Sequence, residues 1–504
     1  MVNRIQRVGV VGAGAMGRGI AQVCASGGLI VKLYDSSQEA VSRGIQAVRD
    51  DLAQAVAKSK MSQAQADEAL SRIHAVNDLK ALCDCDLVVE AIVEQLEPKQ
   101  RLFRELESIL APGSILATNT SSLSVTAIAS VCELPSRVAG WHFFNPVPRM
   151  KLVEVIQAPR TALEVVQELV ALSKKVGHRA VVTSDSPGFV VNHAGRAYVT
   201  EGLKLLAERT AEHHVLDAIL RICAGIRMGP LELLDLTGLD VSVPVMESIH
   251  SQYYGDDRYR PVTLARTRLH AGLLGRKSGQ GFYDYSAKGV TPKSESEQPL
   301  PSIETTLWWP TQGPASLPDS IAALLPADKR RSSPAEADVI MVAPIGQDLS
   351  STIVALGLDG AKAIAVDPIF GSAAGVTLMV CPATAAETVE AARRLFTSRS
   401  VPTFVISDSP GFVAPRVVAC IVNLACEMAQ QGISSPDDID SAVRLALGYP
   451  SGPFEWGDRL GARLVLEIMQ GLYSTFGDQR YRPAPWLIRR ARLGLSLSAA
   501  DRKV

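Results

Sequence analysis

Residues 1–185 alternate short apolar runs with longer amphipathic stretches, a pattern typical of strands separated by helices. Residues 8–11 predict a strand, residues 18–27 a helix that follows a glycine-rich turn, and residues 29–35 a second strand. Such a strand, helix and strand make a βαβ unit. Further strands are predicted at 86–91, 114–118, 138–142 and 152–156, and a polar helical arm at about 39–73. The pattern therefore predicts an α/β fold whose N-terminal domain, residues 1–185, is doubly wound and Rossmann-type.

Beyond residue 185 the apolar positions recur at helical spacing, and strand signals are few. Residues 192–208, 215–224 and 231–254 predict helices, so residues 186–285 should form an all-α domain. The next stretch, residues 286–334, is rich in Pro, Ser, Thr and Glu, which is typical of a linker that is partly disordered or draped over the surface. Trp308 and Trp309 are expected to pin this linker to an apolar surface.

The second half of the chain repeats part of the first at an almost constant spacing. Residues 184–190, SDSPGFV, return as residues 407–413 at an offset of 223. The other matches, at 223 or 222, are Asp217 with Asp440, Gly229-Pro230 with Gly452-Pro453, Asp235 with Asp458, and residues 258–261 with 480–483. A constant spacing over this length indicates a second copy of the helical domain at residues 407–504.

The segment before this second copy is similar to the middle of the Rossmann-type domain. Residues 337–343, ADVIMVA, resemble residues 85–91, CDLVVEA. Residues 335–406 are therefore predicted to be a degenerate, truncated Rossmann-like segment whose first βαβ unit is missing.

Composition excludes several classes of protein. The 51 basic and 52 acidic residues give a formal net charge of −1 without charged blocks, so no nucleic-acid partner is expected. No uncharged apolar run reaches the length of a membrane span. Eight scattered cysteines fit a reduced cytoplasm, and neither Cys83-Asp84-Cys85 nor His213-His214 has zinc-ligand spacing, so no metal is expected.

The glycine-rich turn, VGAGAMG at residues 11–17, predicts a dinucleotide site. Gly12, Gly14 and Gly17 follow a strand and open a helix, and Asp35 ends the next strand. The helix N-terminus would face a pyrophosphate. The Asp35 carboxylate would accept hydrogen bonds from the adenosine ribose and repel a 2′-phosphate, which favours NAD over NADP. FAD is the main alternative.

Two polar loops follow strands of the predicted sheet, at the edge where ligands of such sheets bind. One loop is NTSSL at residues 119–123, and the other, WHFFNPV at residues 141–147, contains His142. An imidazole is suited to remove a hydroxyl proton as hydride leaves carbon, and a carboxylate behind the ring would orient it. Glu154, an acid inside an apolar strand, needs such a partner. From the residues alone, a packed or surface histidine remains the simpler interpretation.

The chain resembles the 3-hydroxyacyl-CoA dehydrogenase family almost continuously over residues 5–285. The resemblance is carried, in the family's order and spacing, by VGAGAMG, DLVVEAIVE, NTSSL, HFFNPV, MKLVEVI, SDSPGFVVN and GRKSGQGFYDY. The long form with a second helical domain is similar to bacterial 3-hydroxyadipyl-CoA and 3-hydroxybutyryl-CoA dehydrogenases, including those of aerobic phenylacetate degradation. The resemblance implies NAD-dependent oxidation of an L-3-hydroxyacyl-CoA to the 3-ketoacyl-CoA.

The resemblance also implies roles for single residues. His142 is expected to be the general base and Glu154 its orienting partner, while Ser121 and Asn192 would contact the substrate oxygen and this pair. Ser186, capping a helix with Pro187 at its first position, would place Asn192 in the second turn. The implied cofactor contacts are Gly12, Gly14, Ala15, Met16, Gly17, Asp35, Glu94, Lys99, Ser121, Asn145 and Lys277.

Substrate contacts are implied for Lys58, Ser121 and Asn192. Lys58 matches a family lysine that meets CoA phosphates, whereas Asp51 stands where some relatives carry a CoA-contacting serine. This departure weakens the expected CoA site. Without the resemblance, Lys58 would be interpreted as a surface charge.

The second copy is expected to be catalytically silent. Counting forward by 223 places Ala365, Thr377 and Pro415 at the positions of His142, Glu154 and Asn192, and the glycine turn has no counterpart. Half-length family members pair their helical domains between subunits, so the two copies here are expected to pack within one chain. A homo-oligomer remains open.

Two other functions fit the same scaffold. One is a non-catalytic NAD-binding or structural protein, against which the intact His142, Glu154 and Asn192 argue. The other is a dehydrogenase of a small β-hydroxy acid without CoA, which a CoA requirement would distinguish. Acyl length and quaternary structure are not predicted.

Overall fold

The computed structural model describes residues 5–286 and 304–501. The chain forms two compact units, the first made of residues up to 193 together with 431–447, and the second of residues 194–430 together with 448–504. Residues 431–447, predicted to belong to the second helical domain, are thus part of the first unit. The domain boundaries predicted from the sequence are continuous segments, so they did not assign residues 431–447 to the first unit.

The first unit contains an eight-stranded sheet. Its strands are β1 (Arg7–Val11), β2 (Ile30–Tyr34), β3 (Ile73–Ala75), β4 (Leu87–Glu90), β5 (Ile115–Thr118), β6 (Val138–Phe143), β7 (Leu152–Gln157) and β8 (Arg179–Ser184). They lie in the order β3-β2-β1-β4-β5-β6-β7-β8, and only the β6–β7 pair is antiparallel. The first six strands have the order of a Rossmann fold, which confirms the predicted fold class. The strands β3 and β8 were not predicted.

Helices cover both faces of this sheet, because successive strand residues point to opposite sides. They are α1 (Ala15–Ser26), α2 (Gln38–Ala57), α3 (Gln63–Ser71), α4 (Leu96–Ile109), α5 (Val125–Ala129) and α6 (Leu163–Lys175). Val8 and Val10 belong to one buried cluster and Val11 to the other. The helices α2 and α3 occupy the stretch predicted as a helical arm, and Val41, Val48 and Leu52 are buried on α2.

The first helical copy begins with α7. Its helices are α7 (Val191–Ala207), α8 (His213–Ile222), α9 (Pro230–Thr237), α10 (Leu239–Gln252) and α11 (Thr263–His270). The stretch predicted as one helix at 231–254 is two helices, since Gly238 between α9 and α10 has a φ of +88°. That left-handed conformation interrupts the helix and suits glycine.

A second, five-stranded sheet lies in the second unit, in the order β13-β12-β11-β10-β9. Its strands are β9 (Leu307–Trp308), β10 (Val339–Val342), β11 (Ala363–Val366), β12 (Val376–Met379) and β13 (Thr403–Ile406), and its helices are α12 (Asp319–Ala322), α13 (Leu349–Leu356) and α14 (Ala386–Thr397). The remaining helices are α15 (Ala414–Gln430), α16 (Pro436–Ala442), which belongs to the first unit, α17 (Pro453–Leu460), α18 (Ala462–Phe476) and α19 (Pro485–Leu493).

The described part of the predicted linker, residues 304–334, is built into this second sheet. β9 pairs with β10, and Leu307, Trp309, Leu317 and Ile321 are buried in the same cluster as Val339. These apolar side chains fill a face of the sheet, which is why the segment is not a free linker. Residues 287–303, with Pro292, Pro299 and Pro301, lie outside the described residues.

The repeated aspartates hold the starts of helices. Asp185 accepts hydrogen bonds from the Val125 and Thr126 N–H groups at the start of α5, and Asp408 accepts those of Leu349 and Ser350 at the start of α13. Such carboxylates satisfy amide groups that the helix itself leaves unbonded. The shared SDSPGFV stretch therefore preserves a folding element in both copies.

The two helical copies contact each other within the second unit. Arg258 Nη2 donates to the Arg482 carbonyl, and Arg480 Nη2 donates to the Arg260 carbonyl. The repeated RYRP stretches thus bond each other reciprocally, which supports the expectation that the copies pack within one chain. The same unit contains a buried ion cluster: Arg416 Nε lies 2.6 Å from Glu201 Oε1, and its Nη2 lies 2.7 Å from the Tyr481 hydroxyl.

Among residues 5–286 and 304–501, no helix is both long enough and apolar enough to cross a membrane.

Candidate active site

The glycine turn connects β1 to α1. A Cβ on Gly12 would lie 2.5 Å from the Ala91 carbonyl oxygen, and one on Gly17 would lie 1.7 Å from the Gly12 oxygen. A Cβ on Gly14 would meet nothing within 4 Å, and no side chain caps the start of α1 at Gly14. Space therefore remains directly over amide groups that point out of the helix N-terminus, an arrangement that fits a pyrophosphate.

Asp35 lies beside this turn. Its Oδ2 accepts the Ala13 N–H at 2.8 Å, and its Oδ1 accepts the Ser37 N–H at 3.0 Å. The carboxylate is half-buried directly after β2 and bonds the glycine turn through the Ala13 N–H. The residues present therefore fit the adenosine side of a dinucleotide.

The predicted base and its predicted partner face each other on adjacent strands. His142 in β6 pairs in register with Glu154 in β7, and His142 Nδ1 lies 2.6 Å from Glu154 Oε2. Both side chains are buried, at 6% and 1% exposed. The ring packs against Phe144 and Phe189, with centroid distances of 4.5 and 5.9 Å. A carboxylate at this distance accepts the Nδ1–H bond and favours the tautomer in which Nε2 carries the lone pair.

Glu154 also holds the start of α7. Its Oε1 accepts the Val190 N–H at 2.9 Å and the Val191 N–H at 2.8 Å. Asn192 lies in the first turn of this helix. One buried carboxylate therefore fixes both the ring of His142 and the turn that carries Asn192.

The predicted helix start at Ser186 and Pro187 is wrong. Gly188 and Phe189 have φ values of +78° and +49°, in the left-handed region that an α-helix excludes. Residues 186–190 accordingly form a turn, and α7 begins at Val191. Asn192 is thus in the first turn rather than the second, and Glu154, not Ser186, accepts N–H groups at the start of the helix, those of Val190 and Val191.

The loop at residues 119–123 is held by Glu94. Glu94 Oε1 accepts the Ser121 N–H at 2.8 Å, the Ser121 hydroxyl at 3.2 Å and the Thr120 hydroxyl at 2.7 Å. Partial burial opposes ionisation of Glu94, but the Lys99 ammonium and these hydrogen bonds outweigh it and lower the pKa of Glu94 to about 2. The loop is therefore anchored by a carboxylate that is ionised at neutral pH.

Lys99 is part of the same network. Its side chain is 1% exposed, and its Nζ lies 2.5 Å from Glu90 Oε1 and 3.2 Å from Glu94 Oε2. Glu90 also accepts the Thr118 hydroxyl at 2.7 Å. The structure thus places Lys99, expected to contact the cofactor, inside the domain, where it supports Glu94.

Sequence reasoning missed Glu90 and Asn119. Glu90 is an acid inside the apolar run DLVVEA, the same signal that pointed to Glu154. Asn119 Oδ1 accepts the Phe143 N–H at 2.8 Å, which ties the start of the Ser121 loop to the residue after His142. No sequence signal distinguished Asn119 from its polar neighbours.

The other predicted contacts lie at exposed positions, except Met16, which is partly buried against the core. Ala15 and Met16 begin α1, Asn145 follows β6 in an Asn-Pro turn, and Lys58 ends α2. Lys277 lies in the second unit, in a short 3-10 turn at Arg276–Ser278, with its Nζ 2.7 Å from Asp240.

Known proteins match the chain over almost its whole length. Residues 7–186 match the family described as "3-hydroxyacyl-CoA dehydrogenase, NAD binding domain", and residues 188–285 and 411–502 match its "C-terminal domain". The chain belongs to the 3-hydroxyacyl-CoA dehydrogenase family. It is therefore an oxidoreductase with an NAD-binding domain that oxidises a 3-hydroxyacyl-CoA, and the two C-terminal matches confirm the duplication.

Three members of the 3-hydroxyacyl-CoA dehydrogenase family illustrate the likeness. A 3-hydroxyadipyl-CoA dehydrogenase of Escherichia coli is 36% identical over 98% of this chain and 99% of its own. A probable 3-hydroxybutyryl-CoA dehydrogenase of Deinococcus radiodurans is 43% identical over 55% of this chain and 100% of its own. A crystal structure of 3-hydroxybutyryl-CoA dehydrogenase from Escherichia coli has a TM-score of 0.86 at 36% identity and covers 97% of this chain and 99% of its own.

The second sheet of this dehydrogenase carries a different pair at the positions of His142 and Glu154. Thr377 pairs with Phe404 just as Glu154 pairs with Val181, at the expected offset of 223. The residue opposite Thr377, however, is Asp367, whose N–H donates to the Thr377 carbonyl at 3.0 Å. The predicted counterpart of His142, Ala365, is therefore wrong by two residues, because the loop between β11 and β12 differs in length from that between β6 and β7.

Asp367 gives a pH-dependent prediction for stability. Its carboxyl is buried and has no charged partner within the described part of the chain. Burial raises its pKa from 3.8 to about 6 despite hydrogen bonds from the Ile369 and Phe370 N–H groups. Asp367 has a higher pKa in the folded protein than in the unfolded chain. Its contribution to the free energy of unfolding is therefore fully present below pH 3.8 and is lost as the pH rises through about 6. Asp367→Asn is therefore expected to raise the free energy of unfolding more at pH 8 than at pH 5, by about 1 kcal/mol, since the penalty of the charged carboxylate builds up between 3.8 and about 6. Thermal unfolding at both pH values measures this, and a larger gain at pH 5 would contradict it.

Proposed function

We propose that this chain oxidises an L-3-hydroxyacyl-CoA at the site formed by His142, Glu154, Ser121 and Asn192. The observation that carries the proposal is the buried contact of 2.6 Å between His142 Nδ1 and Glu154 Oε2. Because the carboxylate occupies Nδ1, Nε2 is the nitrogen that exchanges a proton with the substrate.

In the proposed oxidation, the proton of the substrate 3-hydroxyl passes to His142 Nε2 as the C3 hydrogen leaves as hydride. Glu154 stabilises the imidazolium that forms, because its Oε2 accepts the Nδ1–H bond at 2.6 Å. Two backbone N–H groups hold Glu154 Oε1 at 2.8 and 2.9 Å, so the carboxylate does not reorient during the step. In the reverse reduction His142 donates the proton.

Ser121 and Asn192 are proposed to orient the substrate oxygen. Ser121 lies on the loop that Glu94 anchors, and Asn192 lies in the turn that Glu154 caps. Lys99 is proposed to act through Glu94, because it is buried against Glu90 and Glu94. These residues would hold the reacting groups in place, which lowers the barrier by positioning.

The glycine turn, Ala15, Met16 and Asp35 are proposed to hold the adenosine diphosphate part of NAD, and Glu94 and Asn145 to lie near its nicotinamide part. When bound, NAD⁺ supplies the hydride acceptor. The open space over Gly14 and the uncapped N-terminus of α1 support this assignment. Lys277 and Lys58 remain proposed contacts of NAD and CoA, respectively.

Asp35→Ala is expected to weaken the preference for NAD⁺ over NADP⁺. The change removes a carboxylate that would bond the ribose and repel a 2′-phosphate, so kcat/KM for NAD⁺ should fall about 10-fold while that for NADP⁺ rises. Steady-state rates with both cofactors measure it. Glu39→Ala, an exposed acid in the first turn of α2, is the matched control and should leave both values unchanged.

The second half is proposed to be catalytically silent and structural. Asp367 and Thr377 stand opposite each other where the first sheet has His142 and Glu154, and Pro415 stands at the position of Asn192. A threonine hydroxyl cannot stabilise an imidazolium as a carboxylate does, and no histidine is present to form one. The contacts between the RYRP stretches support a packing role instead.

The proposed acyl groups are 3-hydroxyadipyl and 3-hydroxybutyryl, after the two full-length relatives. We also propose that the enzyme is cytoplasmic, which its eight free cysteines support, and that it has no nucleic-acid partner.

The proposed acyl groups are tested by measuring kcat/KM for both CoA thioesters and for free 3-hydroxybutyrate. Turnover of a thioester supports the proposal, whereas turnover of the free acid alone would support the CoA-independent alternative.

A further inference from the structure

The outer edge of β8 is bonded by a segment from the second half of the chain. β8 is the last strand of its sheet, and Arg179 and Asp185 N–H groups donate inward to the β7 side. Residues 182 and 184 therefore direct their backbone groups outward. These groups meet residues 433–438, which we call the edge segment and which belong to the same compact unit.

Three hydrogen bonds join the edge segment to β8. Ser184 N–H donates to the Ile433 carbonyl at 2.8 Å, Val182 N–H donates to Asp438 Oδ2 at 3.2 Å, and the Ser434 hydroxyl donates to the Val182 carbonyl at 2.6 Å. An open strand edge has unpaired groups of this kind. The edge segment satisfies them much as a ninth strand would.

Two ion pairs extend this contact. Arg179 Nη2, at the start of β8, lies 2.9 Å from Asp437 Oδ2 and 2.9 Å from Asp438 Oδ1. The Asp437 side chain is 85% exposed, whereas that of Asp438 is 18% exposed. Asp438 is therefore the more enclosed partner, and it alone of the two bonds the strand backbone as well.

The bonded part of β8 lies between the two halves of the proposed site. Val181 pairs in register with Glu154, the partner of His142. At the end of the strand, the Asp185 carboxylate accepts the Ser124 hydroxyl at 2.7 Å and the Thr126 N–H at 2.7 Å, directly after the loop that carries Ser121. A displacement of the β8 edge would therefore displace both Glu154, with its partner His142, and the loop that carries Ser121.

The second sheet provides an internal comparison. β13 is its outermost strand, and Ser407 N–H donates to the Thr210 carbonyl at 2.8 Å, which is the Ser184–Ile433 bond repeated at an offset of 223. The counterparts of Ser434 and Asp438 are Ala211 and Val215, which have no polar side chains. The backbone bond is thus common to both sheets, whereas the side-chain anchors occur only on the sheet that carries His142 and Glu154.

We propose that the edge segment is a positioning element for hydride transfer. By fixing β8, Ser434 and Asp438 hold Glu154 and the Asp185-anchored Ser121 loop in their reactive arrangement. The silent half thereby contributes to the reaction without touching substrate or cofactor. This inference rests on the roles proposed above for His142, Glu154 and Ser121.

The test uses the full-length chain with Ser434→Ala and Asp438→Ala combined, which leaves the Ile433 backbone bond in place. Misplacement of positioned groups slows the chemical step, so kcat for acetoacetyl-CoA reduction should fall about 10-fold while KM for NADH changes less than about 2-fold. With NADH deuterated at the transferred position, the isotope effect on kcat should rise, because hydride transfer becomes rate-limiting. The single variant Asp438→Asn keeps Ser434 and retains a side-chain oxygen for the Val182 N–H, so it should keep most of the wild-type kcat.

Asp437→Asn is the matched control, since the carboxylate that it removes bonds Arg179 alone among the described residues, and it should keep the wild-type kcat and isotope effect. If the double variant is insoluble, Ser434→Ala alone should lower kcat about 3-fold. A lower unfolding temperature with unchanged kcat and isotope effect would overturn the inference and leave the segment purely structural. An active His142→Gln variant would instead overturn the proposed function, and this inference with it.

Discussion

Replacing His142 with glutamine is expected to lower kcat for acetoacetyl-CoA reduction by about 10³-fold while leaving NADH binding nearly unchanged. Glutamine fills a similar volume but cannot exchange a proton with the substrate. The glycine turn between β1 and α1 does not involve β6, so the dinucleotide site should persist. NADH absorbance measures the rate, and quenching of protein fluorescence measures binding.

Two variants accompany this experiment. Glu154→Gln should also lower kcat strongly, because it weakens the contact of 2.6 Å to His142 and the bonds to the start of α7. His74→Gln changes an exposed histidine in β3 and should have no effect. A His142→Gln variant that retains a tenth or more of the wild-type kcat would contradict the proposed proton transfer.

Replacing Arg416 with methionine is expected to destabilise the protein by about 3–5 kcal/mol. The Arg416 side chain is fully buried, and the Glu201 carboxylate 2.6 Å away is only 2% exposed. Although burial alone would lower the pKa of Arg416, Glu201, Tyr481 and Glu208 hold it well above its usual value. Methionine would leave the Glu201 carboxylate buried without a countercharge, which is the costly part of the change.

This effect is measured as the change in unfolding temperature, with unfolding followed by circular dichroism. The matched control is Arg266→Gln, which removes an exposed arginine 2.7 Å from Glu247 and should cost less than about 1 kcal/mol. The positions equivalent to Arg416 and Glu201 are His193 and Leu424, so the ion pair is not duplicated. An Arg416→Met variant as stable as the control would contradict its role in joining the helical copies.

Much of the first domain was predictable because local signals and the fold agree. Gly12, Gly14 and Gly17 mark a turn whose close backbone approaches exclude side chains at Gly12 and Gly17. The pairing of His142 with Glu154 was implied by the resemblance, and an acid inside an apolar strand pointed the same way. The duplication was predictable because aspartates that cap helices, such as Asp185 and Asp408, recur at one spacing.

The remaining features depend on contacts between residues far apart in the sequence. The docking of Asp438 against Val182 joins residues 256 positions apart, and no local pattern indicates it. The start of α7 at Val191 depends on Glu154, a distant acceptor, rather than on the nearby Ser186. The two-residue slip that brings Asp367 opposite Thr377 arises in a loop, where a constant offset along the sequence no longer describes the pairing.

The central claim is that one half of the chain oxidises a 3-hydroxyacyl-CoA through His142. It is tested most directly by following NADH absorbance with acetoacetyl-CoA for the wild type and the His142→Gln variant, side by side. The account predicts rapid NADH oxidation by the wild type and almost none by the variant. Equal rates for the two proteins, or no reaction of the wild type with acetoacetyl-CoA, 3-hydroxybutyryl-CoA or 3-hydroxyadipyl-CoA, would contradict it.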